Sequence, residues 1–364
     1  MKLSTFKYNS YKNALLDNFF SATDRHRLIG ILVPGTTLYS KDSNTRAPST
    51  MKALRVHKDG DTTTIIIEDL PMPKPSTGQL LVKIRASAVQ PSDVLNSKGV
   101  FVNTTFPRTL GRDFAGTVVE GPPNLIGRDV FGTSGPTFSF VEDGAQADYA
   151  LLSVDAIALK PKQLSFEQAA LLGTPFATAN LTLKRANAVP GETVLVLGAT
   201  GAVGSWVMKL AQAHGCKTIS VGRHGTDIDS TVDPTLSTAK DLTGGKGPNI
   251  AIDTVGDLSL TRAAIESLAP LGRLCTITAP RSGNKELAVD ITSLYRRQIS
   301  LIGCNSLSYS QAEMARMLTR DLVPLIESGK LQAPELGNTV RLPLDEALGA
   351  YSGNVKKAVI VFDG

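Results

Sequence analysis

The chain has 364 residues, 42% of them hydrophobic and 20% charged, with a mean hydropathy of +0.01; this length and apolar content suffice for a full core and predict two domains. Its formal charge of +5 does not signal a polyanion-binding surface, because seven Lys or Arg against three Asp in residues 1–50 supply +4 of it and leave the rest near neutral. No run reaches the roughly 18 apolar residues of a bilayer span, no basic-then-apolar secretory signal opens the chain, and three widely spaced cysteines (Cys216, Cys275, Cys304) argue for a reducing compartment rather than a disulfide framework. Neither a nucleic acid nor a membrane is expected as a partner.

Residues 1–50 are polar and lack sustained periodicity. Presequences share their Ser, Asn, Lys and Arg content, but Asp17, Asp24 and Asp42 break the acid-poor rule such segments follow. The expectation is a disordered extension or a misplaced start ahead of Met51, and a cytoplasmic location, which becomes mitochondrial if the extension works as a presequence.

From Met51 the alternation Met51-Lys52-Ala53-Leu54-Arg55-Val56 reads as a first strand. Up to about residue 160, short apolar runs such as Leu80–Ile84 and Gly116–Val119 are punctuated by Gly and Pro, which predicts a strand-rich unit. From about residue 165 helical periodicity alternates with the apolar runs Thr193–Leu197, Lys217–Val221, Asn249–Asp253 and Arg273–Ile277. Strands without polar alternation, separated by helices, predict a doubly wound parallel sheet. After a helical segment from Gln311 to Ser328, two β-like runs, 339–344 and 357–362, are expected to return to the first unit.

The most informative stretch runs from Val194 to Ala211. An apolar strand enters Gly198-Ala199-Thr200-Gly201-Ala202-Val203-Gly204 and continues into a helix, the context that a dinucleotide fingerprint requires. Missing side chains let the backbone turn tightly and approach a pyrophosphate, whose charge the helix N-terminus stabilises; Gly204 lets helix and strand pack closely. The next strand ends Ser220-Val221-Gly222-Arg223-His224, with no carboxylate before Asp227 to accept a ribose hydroxyl. Arg223 offers charged donors to a 2′-phosphate, so NADPH is expected, with Ser220 and His224 as helpers.

The segments Ala86-Ser87-Ala88-Val89-Gln90-Pro91-Ser92-Asp93, Leu110-Gly111-Arg112-Asp113-Phe114-Ala115-Gly116, Gly144-Ala145-Gln146-Ala147-Asp148-Tyr149, Thr178-Ala179 at a helix start and the glycine triplet stand in the order and spacing of one family. Residues 51–364 resemble the medium-chain dehydrogenase/reductases, within them the zinc-independent quinone oxidoreductase (zeta-crystallin-like) and enoyl reductase branch. The resemblance implies an α/β protein, a GroES-like β-rich catalytic domain plus a doubly wound parallel-sheet Rossmann domain. Its divisions would be the extension 1–50, the catalytic domain 51–170, the NADPH-binding domain 171–334 and the C-terminal return 335–364. It also implies a homodimer, with Ile299–Gly303 as the pairing strand.

Carried over residue by residue, the resemblance places Gln90 at the nicotinamide end and Thr178 at the cofactor from the start of its helix. Gly198, Gly201, Ala202, Val203 and Gly204 would form the phosphate loop, with Thr278, Ala279 and Asn305 around the nicotinamide ribose and carboxamide. Zinc-dependent members carry Cys and His where this chain has Gln90 and Arg112, and a four-Cys lobe without counterpart around residues 131–148; the ligand sets for catalytic or structural zinc are missing, so no metal is expected. Without a Lewis acid to hold an alkoxide, the expected reaction is hydride transfer to a quinone, enone or enoyl compound rather than alcohol oxidation. The alternatives are a 2-enoyl thioester reductase of fatty-acid or polyketide metabolism, and a cofactor-binding protein with little catalysis.

Two departures stand out. Where relatives place a tyrosine this chain has Phe101, which has no proton to give; Tyr309, Lys98 or water would have to supply it, and no general acid is assigned. The helix expected between Arg223 and Asp241 is curtailed.

Overall fold

Alternation in the first strand and a β-branched run in the second build the opening hairpin. β1 (Thr50–Asp59) and β2 (Thr62–Pro71) pair antiparallel through the two-residue turn Gly60–Asp61, where Gly60 adopts φ +56°. The computed structural model describes residues 49–352 and 357–363. The expected extension, apart from its last two residues, lies outside the described residues.

The remaining strands of the first unit are β3 (Gln79–Val89), β4 (Arg108–Thr109), β5 (Phe114–Glu120), β6 (Asp129–Gly132), β7 (Tyr149–Ser153) and β8 (Ala158–Leu159). The helices α1 (Pro91–Ser97), α2 (Phe166–Ala170) and α3 (Gly173–Arg185) lead toward the second unit. That unit contains β9 (Thr193–Leu197), α4 (Ala202–Ala213), β10 (Lys217–Gly222), β11 (Ile228–Asp229), α5 (Thr238–Asp241), β12 (Ile250–Asp253), α6 (Leu258–Ser267), β13 (Arg273–Thr276), α7 (Ile291–Arg297) and β14 (Ser300–Gly303). α8 (Gln311–Met317), α9 (Val323–Glu327), β15 (Val340–Pro343) and β16 (Ala358–Val361) close the chain.

The sheet of the second unit has the order β11-β10-β9-β12-β13-β14, parallel throughout, as its apolar runs predict. In the first unit β2-β1-β4 form one sheet, and β15-β16-β3-β5-β6-β8, with β7 also on β3, form the other. The expected return is present: β16 pairs antiparallel with β3, Ala358 opposite Val89 and Val361 opposite Ala86. One core joins both units, from Ala86, Ala115 and Phe131 to Phe176, Val194, Trp206 and Met314. The described residues accordingly form one compact unit.

Two local expectations are corrected. Thr178 does not stand at a helix start: α3 begins at Gly173, five residues earlier, because Pro175 falls in its first turn, where a missing N–H costs no intrahelical bond. The segment 311–328 is helical, but a π-helical turn at Leu318–Leu322 separates α8 from α9. Pro324, which cannot donate to a carbonyl one turn back, follows that widening.

Candidate functional site

The glycine loop has the geometry its sequence demands. Gly198 adopts φ +76°, and a Cβ there would meet Thr254 Oγ1 at 2.6 Å; a Cβ on Gly204 would meet the Gly198 carbonyl oxygen at 2.2 Å. The turn is closed by Gly201 N donating to Gly198 O (2.9 Å), and Gly201 caps α4. The first-turn amides of Ala202, Val203 and Gly204 therefore have no intrahelical acceptor and point out of the N-terminus of a 12-residue helix. A pyrophosphate fits this cradle of bare glycines and unpaired amides.

At the end of β10 the helix is curtailed as expected, replaced by a turn that feeds β11 back in parallel beside β10. The turn brings Asp227 onto Ser220, whose amide and hydroxyl donate to Oδ2 (2.8 and 2.7 Å) while the Asp227 amide donates to Oγ (2.9 Å). Asp229 accepts from Thr231 and lies 3.4 Å from His224 Nδ1, and these contacts hold its carboxyl below the usual range. Both carboxylates are thus engaged within the turn, and so are the two expected helpers. Arg223, exposed at the strand end, pairs with neither acid.

Thr278, Ala279 and Asn305 converge, lining a cavity of about 510 Å³ with Cys304 and Tyr309. Asn305 also caps the turn that follows it, accepting from Leu307 N at 3.0 Å. Thr178 is buried in mid-helix, and one turn later Thr182 donates to Thr178 O (2.7 Å) and to Cys304 Sγ (3.8 Å). The structure thus places Thr178 behind this wall, one turn from the residue that touches it. Cys304 is a core residue, as its apolar context predicts, and one that also lines the cavity.

Gln90 lines a second cavity, of about 340 Å³, with Pro91, Lys98 and Arg281. Its side chain is buried and donates to Asp113 Oδ2 (2.8 Å). Asp113 Oδ1 accepts from the amide and hydroxyl of Thr174 (2.9 and 2.7 Å), and Thr174 meets Thr133 at 2.9 Å. Asp93, at the start of α1, accepts from the amides of Gln90 (2.8 Å) and Arg112 (3.3 Å). Burial pushes the Asp93 carboxyl up to about 7 against the opposing charge of Arg112, and burial also raises Asp113, against hydrogen bonds from Thr133 and Thr174.

Arg112 completes this network. Its Nε donates to Ser134 Oγ (2.7 Å), its Nη1 to Ser92 Oγ (3.0 Å), and its guanidinium carbon lies 5.5 Å from the Phe140 ring centroid. Phe101 packs edge-on against the same Phe140 ring, centroids 5.3 Å apart, so its place in this chain is apolar packing. Sequence reasoning missed Asp93, Asp113, Thr174, Ser92 and Ser134. Single polar residues in first helical turns and in loops carry no periodic signal, and only the meeting of segments 90–93, 112–113, 133–134 and 174 reveals them. Among the described residues no group of three or more His, Cys, Asp or Glu is placed to hold a metal ion.

A family model described as alcohol dehydrogenase GroES-like domain matches residues 76–162, and one described as zinc-binding dehydrogenase matches residues 202–321. The chain is 42% identical over 304 residues to a zinc-type alcohol dehydrogenase-like protein of Schizosaccharomyces pombe, covering 83% of this chain and 93% of that one. It is 26% identical over 333 residues to a quinone oxidoreductase of Rattus norvegicus, covering 85% and 98% of the two chains. The protein belongs to the medium-chain dehydrogenase/reductase superfamily, in its quinone oxidoreductase-like branch.

An alcohol dehydrogenase superfamily protein of Novosphingobium aromaticivorans shares the fold of this superfamily member at a TM-score of 0.75 and 26% identity, over 86% of this chain and 100% of that one. Medium-chain dehydrogenase/reductases are nicotinamide-dinucleotide-binding oxidoreductases.

Proposed function

We propose that this medium-chain dehydrogenase/reductase is an NADPH-dependent reductase that transfers hydride, without a metal ion, to a small quinone or α,β-unsaturated carbonyl compound. The observation that carries the reading is the network at Gln90 and Arg112, an amide and a guanidinium hydrogen-bonded to protein partners where zinc-dependent members supply soft or imidazole ligands. A guanidinium is donor-only and cannot ligate a metal. When bound, the cofactor supplies the hydride.

The chain's own residues bind, orient and exclude water. The amides of Ala202–Gly204 would hold phosphate, Arg223, with both neighbouring acids already engaged, would hold a 2′-phosphate, and Thr278, Ala279 and Asn305 would wall the nicotinamide end. We also propose a homodimer through the edge strand β14, whose Leu301 is exposed.

The test is loss of NADPH absorbance by the full chain with quinones, enones and enoyl thioesters, in the presence of EDTA. Turnover that survives chelation is expected. Arg223→Ala should raise KM for NADPH about tenfold to a hundredfold, the range for losing a charge-assisted hydrogen bond of roughly 1.5–3 kcal/mol, and leave KM for NADH unchanged. A wild type that prefers NADH, or that loses activity to EDTA, overturns the reading.

A further inference from the structure

We propose that Arg112 is a catalytic residue whose guanidinium, oriented by Ser92 and Ser134, binds the substrate oxygen that becomes negative as hydride arrives. This rests on the reductase reading above and names the group that replaces a Lewis acid in it. Among the described residues Arg112 is the one Lys or Arg in the buried class, 4% exposed. Burying a cation costs several kcal/mol of solvation, which close counter-charge ordinarily offsets. Here the hydrogen-bonded partners are two neutral hydroxyls, and among the described residues no carboxylate oxygen lies within the 4.0 Å of an ion pair.

Asp93 and Asp113 act on the guanidinium only at longer range. Of the five donors in the planar fork, Nε and Nη1 each use one on a serine, and Nη2 donates to no described residue. A buried cation in this condition is suited to an anion that forms during turnover.

Its position fits that role. Ser92 lies two residues beyond Gln90, which lines the smaller cavity. Ser134 precedes Gly135, packed so closely on the segment Tyr309–Gln311 that a Cβ would meet Gln311 N at 2.5 Å. Tyr309 lines the cavity of Thr278, Ala279 and Asn305. The two partners of the guanidinium are thus chain neighbours of residues at both cavities, Ser92 near Gln90 and Ser134 beside the Gly135 that packs on Tyr309, and the Phe140 ring lies against the guanidinium itself.

In an enone the hydride adds to the β-carbon, the alkene pair shifts to the α-carbon and carbonyl, and the oxygen takes the charge that Arg112 stabilises. A proton from water then completes the α-carbon. The two electrons come from the nicotinamide, which is oxidised to NADP+, and the balance is one hydride and one proton.

The test uses the full chain. Arg112→Met should lower kcat with the preferred acceptor about 10²–10³-fold, the usual cost of losing an oxyanion donor, with the NADPH Kd from fluorescence quenching changed less than about twofold. Added guanidinium ion should restore part of the lost rate, and Arg112→Lys should keep more of it than Arg112→Met. A measurement on the wild type needs no variant to fold: with NADP+ bound, p-nitrophenol should ionise more readily than in free solution and compete with the acceptor. An undiminished kcat in Arg112→Met, or p-nitrophenol that stays protonated on the wild type, overturns the role of Arg112. A wild type that reduces no acceptor yet ionises the phenol overturns the reductase reading and leaves the oxyanion site standing.

Discussion

Asp93 shows how one residue can link the candidate site to stability. Its carboxyl is buried, accepts two backbone amides and is pushed up to about 7 by desolvation, with Arg112 opposing. A folded-state value above the unfolded one means that the native chain binds this proton more tightly. The stability it contributes is complete below about pH 4 and is lost as pH rises through about 7. In Asp93→Asn that slope is absent, so the melting temperature of the wild type relative to the variant should fall between about pH 5 and about pH 8. A constant difference would place the Asp93 proton elsewhere. The role of the residue was invisible in sequence, where Asp93 stands only as the end of a family-like segment; it is fully buried in the fold.

At the scale of elements, the strand, glycine loop and helix from Val194 to Ala211 were legible because every local signal agrees there: an apolar strand, three glycines at fixed spacing and a helix buried along Trp206, Val207, Leu210 and Ala211. Gly204→Ala should cost about 1–3 kcal/mol, as overpacking does, since the added Cβ would meet Gly198 O at 2.2 Å. A titration of NADPH and a thermal melt would both register it, and a variant with unchanged cofactor affinity would show that this loop is not the phosphate site. The turn after β10 was only half legible. Its curtailed helix could be read between Arg223 and Asp241, but not the return of Asp227 onto Ser220, which depends on a two-residue parallel pairing too short to leave a pattern. The start of α3 was misread because the family-like Thr178-Ala179 was taken as its first turn, whereas the helix begins at Gly173 with Pro175 tolerated in its first turn.

For the whole molecule, the consequential feature is the reuse of β3 by distant segments, β5 and β7 from its own unit and β16 from the C-terminus. Because β14 ends the parallel sheet with its ladder open and Leu301 exposed, Leu301→Lys should shift the full chain from dimer to monomer in light scattering without changing its far-ultraviolet spectrum. A wild type that is already monomeric would remove the dimer from the proposal.

The sequence alone was enough for the two-unit plan, the parallel sheet, the glycine turn and the C-terminal return, since each follows from periodicity or from glycine spacing that acts over a few residues. Tertiary structure alone decided which polar residues share a buried site. Gln90, Asp93, Arg112, Asp113, Ser134 and Thr174 come from segments up to 84 residues apart, and burial, which gives their charges chemical consequence, is a property of the packed assembly and not of any local pattern.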